Sequence, residues 1–107
     1  MSMSHYKVFY TAVFERKIEK MEKDFKEWLE KLLDKIVENP YAGKPLNVKW
    51  FREKKFGKYR VYFLVYENVK AVYFVNLSGK KDQQQIINSI NMLLDMYWGE
   101  IENLVNK

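Results

Sequence analysis

Apolar residues recur along this chain with two different periods, and the switches between the periods mark out its elements. His5 to Thr11 is aromatic and β-branched, which predicts a first strand, and Thr11 is of a type that caps helices. From Phe14 to Glu38 the apolar positions Phe14, Ile18, Met21, Phe25, Trp28, Leu29, Leu32, Leu33 and Ile36 follow helical spacing. A break near Glu22–Asp24 predicts two antiparallel helices. The pairs Glu19/Lys23, Glu22/Lys26 and Glu27/Lys31 put each Glu four residues ahead of its Lys on the solvent side. Asn39-Pro40 ends the second helix, because the residue before proline is driven out of the α region.

Beyond the loop at residues 41–45 the period shortens. Strands are predicted from about Lys49 to Phe56, from Tyr59 to Tyr66 and from Lys70 to Leu77, with Gly57-Lys58 and Glu67-Asn68-Val69 as turns. Turns this short imply an antiparallel meander. Ser78-Gly79-Lys80-Lys81 interrupts the pattern, and Asp82 is placed to cap one last helix from Gln83 to about Val105. Ile87, Trp98 and Val105 widen its apolar surface beyond a single stripe. The order β-α-α-β-β-β-α predicts an α+β fold. It is a small antiparallel sheet of about four strands, with two N-terminal helices and a C-terminal helix packed on it.

Composition narrows the classes. A chain of 107 residues holds one domain, residues 1–107, with a disordered start at 1–4 and an extension of the last helix at 96–107. Hydrophobic residues make up 48% and aromatics 17%, too rich for a disordered chain. No apolar run reaches the ~18 residues of a membrane span, and the N-terminus lacks the regions of a signal peptide, so a soluble, cytoplasmic protein is expected. There is no cysteine, and the one histidine, His5, sits near the terminus and is expected to be solvated. Neither a Ser-His-Asp triad nor a His-rich metal site can be assembled, and no cofactor or metal is expected.

Charge then points to a region. Residues 1–43 balance eight basic against eight acidic side chains. Residues 44–60 set Lys44, Lys49, Arg52, Lys54, Lys55, Lys58 and Arg60 against Glu53 alone, a net of +6. Such a cluster is either a solvated lysine-rich surface or a polyanion footprint, since clustered Lys and Arg replace counterions on phosphates. Arg60 lies in an otherwise apolar strand, where it either pairs with Glu53 across the hairpin or lines an open face. In the second case Arg60, Lys54 or Lys55, and Lys80 or Lys81 converge, with Tyr59 and Tyr62 near enough to stack on bases. Arg52 and Lys58 extend the cationic surface. On such a face RNA supplies its own nucleophile, the 2′-hydroxyl. Arg stabilises the phosphorane through its two-pronged fork. A lysine among cations serves as base or acid, and Glu53 is a second candidate base. The residues permit either a nuclease or a binder.

Several motifs then occur in order: Tyr6-Lys7-Val8 leading to Phe14-Glu15; Asn39-Pro40 with Gly43-Lys44-Pro45-Leu46; Glu53-Lys54-Lys55; Gly57-Lys58-Tyr59-Arg60-Val61-Tyr62; and Ser78-Gly79-Lys80-Lys81-Asp82. Over roughly residues 5–95 the chain resembles the RelE/ParE superfamily of toxins from toxin–antitoxin pairs. It looks most like the HigB-like and phage-derived branch, where Glu-x-Arg, Gly-x-Tyr-Arg and Gly-x-Lys-x-x-Gln recur. The resemblance implies the small α+β toxin fold, a cognate antitoxin, and cleavage of mRNA on the ribosome. It implies Arg60 as the strand arginine, Lys81 with Lys80 as the second basic position, Lys55 in the place of the Glu-x-Arg arginine and Glu53 as its carboxylate. A tyrosine common in RelE members six residues after the second basic position is Ile87 here. A ParE-like inhibitor of DNA gyrase without chemistry of its own, and an RNA binder without turnover, are the alternative activities. Tyr97, Trp98, Ile101 and Leu104 either complete the core or form a surface for a homodimer or the antitoxin.

Overall fold

The computed structural model describes residues 5–107, so the expectation for residues 1–4 lies outside it. Ten short segments build it: strand β1 (Lys7–Tyr10), helices α1 (Ala12–Glu19) and α2 (Lys23–Ile36), strands β2 (Lys44–Leu46), β3 (Val48–Phe56) and β4 (Tyr59–Tyr66), a 3-10 turn (Glu67–Val69), strand β5 (Ala71–Ser78), and helices α3 (Gln83–Met92) and α4 (Leu94–Val105). Side chains alternate across a strand, and in this sheet both faces are covered. On one face Phe14 of α1 and Phe25, Leu29, Leu32 and Ile36 of α2 pack on Val61, Phe63, Val65, Val72, Phe74 and Leu77. On the other, Ile90 of α3 and Tyr97 and Ile101 of α4 pack on Phe51, Tyr62, Leu64, Ala71, Tyr73 and Val75. This double cover explains why β4 and β5 read as continuous apolar runs, with all eight residues of β5 buried.

The strand order is β1-β5-β4-β3-β2. It departs from the expected sheet in two ways. The neighbours β2–β3, β3–β4 and β4–β5 are antiparallel, but β1 runs parallel to β5, because the α1–α2 hairpin carries the chain back across the sheet before β2. A fifth strand, β2, lies where a loop was expected. It has only three residues and includes Pro45, which suits an edge.

Local signals account for most boundaries. Thr11 Oγ1 accepts from the Phe14 amide at 3.0 Å, capping α1, and donates to the Val75 carbonyl at 2.9 Å. Lys20 closes α1, and Glu22, in extended conformation, opens α2. That break separates the predicted Glu19/Lys23 pair, and the Lys26 ammonium, one turn beyond Glu22, donates to the Glu19 carbonyl at 3.3 Å instead of pairing with the Glu22 carboxylate. The ion pair formed on this surface is Lys23–Glu27, at 3.9 Å between exposed groups. Gly57, with φ +58°, takes the first central position of the two-residue β3–β4 turn, where a II′ hairpin uses glycine.

The predicted single C-terminal helix is two. Leu93, at φ −108° and ψ 10°, ends α3 and starts α4. The bend lets Ile86, Ile87 and Ile90 on one side and Tyr97, Trp98, Ile101 and Leu104 on the other all meet the sheet, which a straight helix with so wide an apolar surface could not do. Tyr97, Trp98, Ile101 and Leu104 therefore complete the core. Among the described residues no helix is long and apolar enough to cross a membrane.

Candidate functional site

Register decides which basic residues share a face. In the β3–β4 hairpin Lys55 stands opposite Arg60, Glu53 opposite Tyr62, and Phe51 opposite Leu64; in β4–β5, Arg60 stands opposite Ser78. These side chains project toward the face covered by α3 and α4. Lys54 stands opposite Val61, Arg52 opposite Phe63, and Phe56 opposite Tyr59, all on the α2 face. A one-residue alternation thus splits the basic segment in two.

On the α3 face Arg60 is 8% exposed, and its guanidinium makes one hydrogen bond, from Nη1 to the Lys58 carbonyl at 3.2 Å. Its Nε has no partner. The alternative pairing of Arg60 with Glu53 does not form. Directly across from Arg60 is Lys55, exposed, with opposite Cβ atoms about 5 Å apart in such a pair. Ser78 leads into Gly79, Lys80 and Lys81, with both lysines exposed and Lys81 only three residues, about 10 Å of chain, beyond Ser78. Lys58 is exposed at the hairpin turn, its ammonium 5.4 Å from the centroid of the Tyr59 ring. Arg60, Lys55, Lys80 and Lys81 therefore stand around one end of the sheet.

The structure places other expected site residues differently. Arg52 is 7% exposed, and its fork is taken up by backbone: Nε donates to Ala42 O at 3.1 Å, Nη1 to Lys49 O at 3.1 Å, and Nη2 to Tyr41 O at 3.0 Å and Gly43 O at 3.1 Å. It staples the α2–β2 loop to β3 and is not free for RNA. Gly43 serves the same approach: at φ +72°, a Cβ there would run into the Glu53 carbonyl oxygen. Lys54 is half-buried on the α2 face. Tyr59 packs edge-on against Phe25 at 6.0 Å between centroids, within the α2 core, so it offers no free ring to a base. Tyr62 is completely buried. Its hydroxyl lies 2.9 Å from Ser78 Oγ. Burial, followed by the Glu53 charge, pushes its pKa up to about 12 against the lowering effects of the Ser78 hydrogen bond and Arg60.

Glu53, expected as a base, has a side chain 0% exposed. Its Oε2 accepts from Gln83 Nε2 at 2.8 Å, and Oε1 has no hydrogen-bond partner and sits 3.6 Å from Lys44 Nζ. A carboxylate so enclosed has no path to a substrate proton. Asp82, expected as a side-chain cap, instead accepts from the Gly79 amide at 2.9 Å, folding the basic turn on itself. Gln83, Ser78 and Lys44 were not expected at the site. The glutamine of the Gly-x-Lys-x-x-Gln spacing is Gln84, which bonds to Asn88 instead. Gln83, like Ser78 and Lys44, comes to the site through tertiary packing and cross-strand register, which no local motif marks. Among the described residues no three His, Asp or Glu side chains gather to hold a metal ion.

Comparison with known proteins bears on the family and the fold. The family model of the ParE toxin of the type II toxin–antitoxin system parDE matches residues 8–88. No curated protein matches by sequence. Among solved structures, a mutant of the E. coli toxin RelE in the free state is similar at 19% identity and TM-score 0.66, over 78% of this chain and 92% of that one. The toxin–antitoxin complex RelBE2 from Mycobacterium tuberculosis is similar at 20% identity and TM-score 0.60, covering 73% and 94%. The archaeal RelE–RelB complex from Pyrococcus horikoshii OT3 is similar at 14% and TM-score 0.57, covering 71% and 96%. The structures share the fold, and the family model runs from the second residue of β1 through β5 to the start of α3. The chain belongs to the ParE toxin family of type II toxin–antitoxin systems, within the RelE/ParE superfamily.

Proposed function

We propose that this toxin is an endoribonuclease that cleaves mRNA on the ribosome, with Arg60 as the group that holds the scissile phosphate. The observation that carries the reading is the contrast between two buried arginines. Arg52 satisfies its fork on four carbonyls, whereas Arg60, equally enclosed, has one hydrogen bond and a bare Nε. A buried cation short of partners is costly in the free protein and is relieved by an anion. The guanidinium fork fits two phosphate oxygens, and Lys55 and the Lys80–Lys81 turn add charge around it.

In this reading the 2′-oxygen bonds to phosphorus as the bond to the 5′-oxygen breaks. Lys55 or Lys81, in its neutral form, accepts the 2′-hydroxyl proton, and the other, charged, returns one to the 5′-oxygen, while Arg60 stabilises the added charge on the phosphorane. Lys58 and Lys80 guide the flanking backbone. Glu53 and Tyr62 are enclosed and take no part in proton transfer. The partner we propose is a cognate antitoxin that covers this basic face. The E. coli RelE mutant is known in complex with an antitoxin RelBc peptide, and RelE proteins from two further organisms are known with theirs.

The match to a ParE family model favours a second reading, inhibition of DNA gyrase without chemistry. The wild-type chain and Arg60→Ala, expressed in parallel from a tightly inducible promoter, separate the two. Growth arrest with cleaved reporter mRNA, both lost in a folded Arg60→Ala, supports the nuclease. Arrest with intact mRNA and impaired supercoiling supports the gyrase inhibitor.

A further inference from the structure

Glu53 has no step in the reaction proposed above, yet it is the least exposed charged residue described. A carboxylate buried this deeply, with one oxygen lacking a hydrogen bond, is expensive to keep. Its one strong contact, from Gln83 Nε2 at 2.8 Å, has a particular geometry. Gln83 begins α3, which follows β5, and Glu53 lies on β3, two strands and roughly 10 Å across the sheet. The bond therefore draws the first turn of α3 over β4 and seals Tyr62 beneath it. Two hydrogen bonds, Gly79 amide to Asp82 Oδ1 at 2.9 Å and Ile86 amide to Asp82 O at 3.0 Å, join the basic turn to that first turn of helix. Whatever fixes Gln83 fixes the backbone of Lys80 and Lys81. At the other end of the contact, Lys55 is two residues along β3 from Glu53, on the same face and about 7 Å away.

We propose that Glu53 is a positioning residue: its hydrogen bond with Gln83 is a clasp that sets the Lys80–Lys81 turn at a fixed distance from Arg60 and Lys55. This rests on the ribonuclease reading for its consequence and on the hydrogen bond alone for its existence. The clasp explains why an acid stands in the middle of the basic segment, and why a glutamine opens the helix. Lys44, its ammonium 3.6 Å from Oε1, balances the carboxylate from the exposed edge strand.

An exchange of the two partners tests it. Gln83→Glu sets two carboxylates against each other and opens the clasp. Adding Glu53→Gln restores a donor–acceptor pair with the roles reversed. Each folded variant is assayed for reporter-mRNA cleavage on ribosomes, for binding of a single-stranded RNA oligonucleotide, and for amide hydrogen exchange over residues 80–86. We expect Gln83→Glu to lower the cleavage rate by on the order of 10- to 100-fold, as a ~1 Å misplacement does, with RNA affinity changed far less. The double variant should recover most of the rate and the amide protection. A double variant as slow as Gln83→Glu, or a Gln83→Glu that cleaves normally, overturns the proposal. Should Gln83→Glu fail to fold, Gln83→Leu removes the donor without adding charge and must show the same loss of rate and protection. A wild-type chain that cleaves no RNA ends the ribonuclease reading, and amide exchange then decides the clasp alone. Protection lost in Gln83→Glu and regained in the double variant upholds it; unchanged protection overturns it.

Discussion

Replacing each of the two buried arginines by methionine should produce opposite losses. Methionine keeps much of the aliphatic stem and removes the guanidinium. In Arg52→Met, carbonyls of Tyr41, Ala42, Gly43 and Lys49 lose their donors together. A hydrogen bond from a charged donor contributes roughly 1.5–3 kcal/mol, but four on one group do not add, and water can reach part of a loop; about 3 kcal/mol is the expected cost. At about 4 °C per kcal/mol for a domain of this size, the midpoint should fall by on the order of 12 °C. In Arg60→Met a single bond of 3.2 Å is lost, and a buried Nε with no partner disappears with it. The cost should stay below about 1 kcal/mol, or roughly 4 °C. Thermal unfolding followed by circular dichroism, with mRNA cleavage measured well below both midpoints, reads both quantities. Arg52→Met should be unstable but active, and Arg60→Met stable but inactive. If Arg60→Met unfolds as early as Arg52→Met, the guanidinium of Arg60 is a structural anchor and the case for a waiting phosphate site falls.

Thr11→Ala removes both the cap of α1 and the bond to the Val75 carbonyl, and should cost about 2–3 kcal/mol in urea unfolding, with Thr11→Ser recovering most of it. Lys55→Ala and Lys81→Ala should each flatten the dependence of log affinity for single-stranded RNA on log salt by about 0.7, whereas Lys7→Ala, exposed opposite Ala71 at the far end of the sheet, should leave the slope unchanged. Alkali should unfold the protein early. The pKa values of Tyr10 and Tyr62 are raised by burial to about 12, so the folded state keeps protons that the unfolded chain releases near pH 10. Their stabilisation is complete below pH 10 and is lost as the pH rises toward 12, at about 1.4 kcal/mol per pH unit for each tyrosine in that window. A flat stability profile from pH 9 to 11.5 would contradict it.

Much of the fold was legible because period and punctuation agree. The strand at Tyr59–Tyr66, the Gly57 turn and the Thr11 cap each carry a local signal, and each appears in place. What was not legible depends on partners far away in sequence. The parallel pairing of β1 with β5 has no local mark. Neither does the bend at Leu93, which arises because two short helices cover the sheet better than one straight one. The site divided in the same way. Arg60 and the lysines of the basic turn were readable as charge in unusual places, but the assignment of Arg52, Lys54 and Tyr59 to the opposite face follows from register. Register is a property of the pair of strands and cannot be seen in either one. Tyr62 looked like a base-stacking ring because tyrosine in a strand serves equally well as platform or as core.

The parallel pairing of β1 with β5 also constrains when this protein becomes a toxin. Thr11 bonds to the carbonyl of Val75, 64 residues onward, and among the described residues β1 has β5 as its one strand partner. The helices α1 and α2 are made early, but the buried sheet residues they cover, Val61, Phe63, Val65, Val72, Phe74 and Leu77, belong to β4 and β5. A nascent chain therefore has no sheet for them to close upon until β5 has left the ribosome, and long-range closures of this kind are slow. The basic turn at Lys80 and Lys81 is synthesised immediately afterwards. Folding and the completion of the cationic site thus fall at nearly the same moment, and a chain that stops short of Lys81 is a poor toxin.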